Sequence, residues 1–362
     1  MKITFPHMGS TVIYQKLLEL LDHEVIMPPR PTQRTINLGV KHSPEFACFP
    51  YKVLLGSYIE SLELGADTIL TSGGNGPCRA GFYNEVHRKT LLNLGYEVEM
   101  IVFDDIYRNP GLFMEKLRKI KNQKSGLQLI KAVFTAYQLA HAIDSLQKVM
   151  EIKRPYELEP GSFSAAFAMM SQKFAKEAYT VKDIQRLKRE GMALFHSIPV
   201  HEPPENRKVR IGIVGEIYVV IESSVNLGIA ELLNKLGCEV TRSLYVSEWV
   251  DHSLPKILGK SDAAIIENSK RYMKIGIGGH EIHNIGHMIS YKNQGFDGVI
   301  HLMPFACLPE LVTQSLVPKI SEDLAMPILT LALDEQSGVA NTLTRLEAFI
   351  ELVKNHKQLK TG

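Results

Sequence analysis

Cysteine is scarce in this chain and never paired: four residues, at positions 48, 78, 238 and 307, with no C-x-x-C among them. That spacing excludes the short double pairs of structural zinc sites. With no export signal in the first residues, it also argues against a disulfide framework and for a cytoplasmic protein with reduced thiols. Charge of one sign is missing too. Lys and Arg total 41 against 39 Asp and Glu, a formal net charge of +2, and no basic block stands out. Nucleic acid and membrane are therefore not expected partners, and no run of about 18 apolar residues is present to span a bilayer. Gly73-Gly74-Asn75-Gly76 lacks the Gly-Lys-Ser/Thr of a phosphate loop, and no G-x-G-x-x-G turn follows the first strand pattern. ATP hydrolysis and dinucleotide binding by this chain are not expected.

What is present is alternation. Hydrophobic content of 45% and charged content of 22% are those of a globular protein. The length suggests two domains. Strand patterns at residues 2–6, 24–27, 35–40, 68–72 and 98–103 alternate with helix patterns at 11–21, 51–64 and 82–94. Such a series predicts a parallel sheet covered by helices. Residues 1–108 form this N-terminal α/β unit, and residues 109–196 read as a helical segment, notably 126–151 and 163–178. A proline-bearing linker follows at 197–208. Residues 209–362 restart the alternation, with strand patterns at 209–214, 238–244, 298–303 and 328–333, and a further candidate at 263–267. Helix patterns there cover 223–236, 280–294, 311–323 and 343–354. The halves read as copies. Gly65-Ala66-Asp67 and Gly295-Phe296-Asp297 each precede a strand and then a cysteine, 13 and 12 residues after the glycine. A duplicated α/β fold places its ligand in the crevice between the copies.

Cys48, Cys78 and Cys307 share one setting, a loop broken by proline or glycine that opens onto a helix. There the free N–H groups and partial positive charge favour a thiolate. Cys238, between Gly237 and an apolar strand, reads as a small core residue. For the other three, cluster or metal binding, reactive thiols and packing are all open from the residues alone. If they converge on a metal, an all-thiolate site from distant loops suits a [4Fe–4S] cluster, with one iron left for a non-cysteine ligand.

The motifs carry a resemblance. The run Leu38-Gly39-Val40-Lys41-His42-Ser43-Pro44-Glu45-Phe46-Ala47-Cys48-Phe49-Pro50-Tyr51-Lys52 resembles the 2-hydroxyacyl-CoA dehydratase D-component family. So do Gly76-Pro77-Cys78-Arg79, Val214-Gly215-Glu216-Ile217-Tyr218, Met303-Pro304-Phe305-Ala306-Cys307-Leu308-Pro309-Glu310 and Thr344-Arg345-Leu346-Glu347-Ala348-Phe349. The likeness is greatest to the branch of CoA-substrate-specific enzyme activase-related proteins, which is similar to the benzoyl-CoA reductase and double-cubane cluster proteins. It implies two similar Rossmann-like parallel-sheet domains joined by a helical segment, with a [4Fe–4S] cluster in the interdomain crevice on Cys48, Cys78 and Cys307. It also implies a separate ATP-hydrolysing iron–sulfur activator that supplies one low-potential electron, destined for an acyl-CoA or other small-molecule substrate. A homodimer or heterodimer is the expected assembly. Some members of the branch carry a further cysteine where this chain has Asn75, so a single cubane is expected here.

Three further residues are candidates for the chemistry. Glu216 follows a strand end, where α/β crevices position functional groups, although a turn cap would also explain it. Arg79 could offset cluster charge or bind an anion. Lys52 lies one turn past Cys48. His280, His283 and His287 could share a helix face, but the pattern is not H-E-x-x-H, and a helix start after Gly278-Gly279 is the preferred reading. Two alternatives stand beside the redox protein: a non-catalytic α/β metabolite-binding module, and a scaffold that carries a cluster to another enzyme.

Overall fold

The computed structural model describes residues 1–73, 78–103, 109–253 and 262–361. Its first sheet is formed by β1 (Lys2–Thr4), β2 (Glu24–Val25), β3 (Thr68–Ser72) and β4 (Glu99–Phe103), all parallel, in the order β2-β1-β3-β4. The second is formed by β5 (Val209–Gly215), β6 (Cys238–Arg242), β7 (Gly298–Pro304) and β8 (Ile328–Leu333), also parallel, in the order β6-β5-β7-β8. Counted within each half, the two orders are the same. The duplication extends to single hydrogen bonds. Asp67 Oδ1 accepts from the Lys2 N–H at 2.9 Å, and Asp297 Oδ2 accepts from the Arg210 N–H at 2.9 Å. Each aspartate thus clips the start of its third strand to its first.

The strands of the second sheet show why no alternation of apolar and polar residues marks them. Every residue of β7 is buried, as helices cover both faces of the sheet. Between the sheets run the helices Pro110–Lys121, Gly126–Lys153, Ser162–Glu177 and Val181–Ser197. Leu139, Ile143 and Leu146 of the long helix share one core with Ile13 and Val53 of the first half and Ile211 and Val240 of the second. A buried ion pair, Glu151 to Arg242 at 3.0 Å, fastens that helix to the end of β6. The Tyr245 hydroxyl donates to the same carboxylate at 2.6 Å, which keeps the pair fully hydrogen-bonded. No described helix is long and apolar enough to cross a membrane.

Three expectations are corrected. Residues 35–40 are not a strand but part of the helix Gln33–His42. Thr32 and Thr35 form a capping box at its start, and the buried positions Thr35 and Gly39 fall four apart on one face. The Cys48 loop is therefore entered from a helix. Residues 263–267 belong to a helix, Ala263–Ser269, which lies so close to the helix Glu281–Asn293 that a Cβ on Gly286 would stand 2.1 Å from the Ile265 carbonyl oxygen. A short apolar run cannot by itself distinguish the two structures. Helix 223–236 shrinks to Ile229–Lys235, because Gly228 takes a left-handed φ of +68° before it; a short helix, Ile217–Ile221, precedes that turn.

The helices Gln33–His42 and Phe49–Glu63 cross at two glycines. A Cβ on Gly39 would stand 1.7 Å from the Lys52 carbonyl oxygen, and one on Gly56 1.9 Å from that of Thr35. Neither backbone can yield without moving the Cys48 loop between them. Gly39→Ala is expected to lower stability by about 1–3 kcal/mol in urea unfolding. The control Gly126→Ala, where nothing lies within 4 Å, should stay within about 0.5 kcal/mol of the parent.

Candidate functional site

The carboxyl ends of β3, β5 and β7 face one another across the crevice between the halves. There lies a cavity of about 620 Å³. Its wall takes Phe5, Tyr14 and Phe103 from the first half and Glu216, Tyr218 and Trp249 from the second. In both sheets the order reverses between the first and third strands, the place where open α/β sheets bind ligands.

Each predicted cysteine stands at a helix start. Cys48 is the N-cap of Phe49–Glu63 and Cys307 that of Leu308–Leu324, each with proline in the first turn; Cys78 precedes Ala80–Asn93 by two residues. Residues 74–77 of the Cys78 loop lie outside the described residues. Cys78 and Cys307 line the cavity. Cys48 sits behind it, buried, with its Sγ 2.6 Å from the Tyr83 hydroxyl, and Tyr83 itself is in the cavity wall. Charge on Cys48 acts on Cys307, and charge on both Cys48 and Cys78 acts on Tyr83. Cys238 is fully buried in β6, as a core residue.

Arg79 joins the loops. Its Nη1 donates to the Phe46 carbonyl at 2.8 Å, two residues before Cys48, and its Nη2 donates to the Ala306 carbonyl, next to Cys307. Ala306 has a left-handed φ of +62°, a conformation that costs a residue with a Cβ roughly 1–2 kcal/mol. The arginine holds the carbonyl of that strained residue in place.

The thiolate expectation is corrected. Burial pushes the Cys48 thiol up to about 11, and the Tyr83 hydroxyl and Tyr51 N–H only partly offset it. Burial likewise raises Cys78 and Cys307, and the nearby Glu216 carboxyl adds to both. Burial thus works against the helix N-termini at all three thiols.

Glu216 caps the helix Ile217–Ile221, accepting from the Val219 N–H at 3.1 Å, and also faces the cavity. The two readings of this residue are compatible. Gly215 places it: at φ +150°, a Cβ there would stand 2.1 Å from the Leu302 carbonyl oxygen. Burial first, and then Glu310, raises the Glu216 carboxyl to about 7. Lys52 does not join the site. It is buried in an ion pair with Glu335 at 2.8 Å, a tie between the halves, and does not line the cavity. Arg345 donates to the Thr330 carbonyl at 2.9 Å and fastens the last helix to β8.

A buried chain of polar groups escaped the sequence reading. Glu310, one turn past Cys307, pairs with His301 of β7 at 2.7 Å and accepts from the Asn284 amide at 2.9 and 3.0 Å. The Asn284 carbonyl oxygen in turn accepts from the Gly215 N–H at 3.0 Å. An acidic residue in the first turn after Cys307 was the available signal; no local pattern pairs it with a histidine in a fully buried strand. The helix Glu281–Asn293 begins just after Gly278-Gly279, as expected, with His280 as its N-cap. The loop before it is held by the Glu281 carboxylate, which accepts from the Ile277 N–H at 2.5 Å and the Gly279 N–H at 3.0 Å.

Among the described residues, no group of three or more His, Cys, Asp and Glu is arranged to hold a metal ion. The donor set nonetheless suits a thiolate-bound cluster, which is wider than one ion: three cysteines at helix starts around one arginine, with oxygen donors at hand. No protein-family model and no curated protein matches the chain.

Glu216 carries a sign-specific prediction. Its folded pKa, about 7, lies above the ordinary 4.5, so the fold favours the protonated acid. That contribution is complete below about pH 4.5 and is lost as pH rises through about 7. Glu216→Gln should therefore lose less stability than the parent between those limits, by on the order of 1–3 kcal/mol in urea midpoints at the two pH values. Parallel pH profiles would refute the assignment.

Proposed function

We propose that the protein is a redox protein of the 2-hydroxyacyl-CoA dehydratase type, binding one [4Fe–4S] cluster through Cys48, Cys78 and Cys307. In this reading an ATP-hydrolysing iron–sulfur activator supplies a low-potential electron, and the product of its transfer is a reduced small molecule. The observation that carries it is Arg79. This one side chain, adjacent to Cys78, grips the backbones beside Cys48 and Cys307 at once.

When bound, the cluster supplies one-electron transfer. The chain's own residues do the rest. Arg79 offsets anionic charge on the thiolates. Burial of a cluster lowers its potential, which is why an energised donor is needed. Glu216, with a pKa near neutrality, can hold or release a proton at its carboxyl oxygen inside the cavity. Glu310, hydrogen-bonded to His301 and Asn284, is a second carboxyl in the cavity wall.

The cavity also supports a second reading, a non-catalytic metabolite-binding protein with the same crevice. Iron decides between them. Anaerobic reconstitution should give a brown protein with about four irons per chain. Cys48→Ser, Cys78→Ser and Cys307→Ser should each lose most of that iron, while Cys238→Ser keeps it. Stoichiometric zinc with negligible iron, or full iron in all four variants, would defeat the cluster.

A further inference from the structure

The cavity wall has a charge sign of its own. Glu216 and Glu310 line it, and among the described residues that do so there is no lysine or arginine. Arg79 and Lys52, the nearest cations in sequence to the cysteines, are turned to backbone carbonyls and to Glu335. Tyr83 and Asn84 bond the Cys48 sulfur and the Ser72 carbonyl, but three polar atoms of lining residues have no hydrogen bond among the described residues. The hydroxyls of Tyr14 and Tyr218 and the Nδ1 of His87 are buried without a hydrogen bond, and all three residues line the cavity. His87 faces the Tyr51 carbonyl through Nε2 at 3.0 Å, so Nε2 carries the proton and Nδ1 is left as an acceptor. Buried polar atoms without partners are rare in folded proteins and call for a partner that binds.

From these observations we infer that the cavity binds a small organic cation, an ammonium or amidinium head on an apolar body, in preference to a carboxylate, a phosphate or a CoA thioester. The head meets Glu216, and its N–H groups supply donors to His87 Nδ1 and the two tyrosine oxygens. The body packs among Phe5, Phe103 and Trp249, with aromatic faces that attract a cation. A volume of about 620 Å³ suits a molecule of drug size. Anions meet like charge at Glu216, and the phosphates of CoA meet no lysine or arginine in the described wall. The inference uses the crevice of the proposed function but does not need the cluster.

Trp249 makes the test direct. It is the only tryptophan in the chain and lines the cavity. Iron-free full-length protein is titrated with benzamidine, with benzoate of the same shape, and with CoA, following tryptophan emission. Benzamidine should change the emission saturably, and benzoate and CoA should need at least about tenfold higher concentration, a difference of about 1.4 kcal/mol. Glu216→Gln, near in shape and able to keep the helix cap, should narrow the benzamidine-to-benzoate ratio at least about threefold, with its fold checked by thermal unfolding. Equal binding of the two probes, tighter binding of benzoate or CoA, or no saturable change with benzamidine would overturn the inference. None of these outcomes bears on iron content, so the cluster reading fails or stands separately.

Discussion

The guanidinium of Arg79 is the point on which the geometry of the site depends. Three loops from distant parts of the sequence end near one another, and each carries a thiol whose ionisation burial opposes. Loops of this kind have no ladder to register them. What sets them is one cation with donors in a fixed fork, spent on two backbone carbonyls rather than on a carboxylate. The choice of acceptor matters. A carboxylate partner would neutralise the charge, whereas carbonyls leave it near the thiols of Cys48 and Cys78, whose ionised forms it favours. The strained Ala306 backbone is stable only because that contact and the buried strand behind it fix its position.

Duplication explains why the crevice exists. Each sheet closes with the same aspartate clip, and each reverses its strand order at the same place. Helices of the first half share a core with the second sheet, and the carboxyl ends of both sheets line one cavity. The copies then diverge in what they place there. The helix before β3 begins at Cys48 and the corresponding helix before β7 begins after His280, so thiol and imidazole occupy equivalent positions. After the first strand of each half, the second copy alone has the Gly215–Glu216 turn. A symmetric frame has become a polarised site, with the carboxyls on the side of the second half.

Much of this was legible in the sequence, for a physical reason. The strand patterns at β3 and β8 coincide with the strands residue for residue. The cysteine loops were found because proline and glycine mark helix starts whatever the tertiary context. The failures have a common cause. Residues 35–40 and 263–267 are short strand-like patterns that form helices, each packed against a glycine of a neighbouring helix, Gly56 in one case and Gly286 in the other. No local pattern records that. The same holds for charge: helix N-termini suggested thiolates, but the sign of the shift is set by burial, a property of the whole fold. Lys52 is the clearest instance. One turn from a candidate ligand, it was a reasonable site residue until its partner, Glu335, arrived from nearly three hundred residues away.

The overall charge of the chain, near zero, conceals an uneven distribution. Most carboxylates pair at the surface, where a pair contributes at most about 1 kcal/mol. Those at the crevice are different. Glu216 and Glu310 stand where water is scarce, one raised toward neutrality and the other committed to His301 and Asn284. Burying two acids beside three thiols opposes folding, and a fold selected for stability alone would place apolar groups there. The large shared core, from Ile13 to Val353, absorbs that cost. Acids, unpaired hydroxyls and a neutral imidazole facing one cavity are therefore better explained by what enters the cavity than by what holds the chain together.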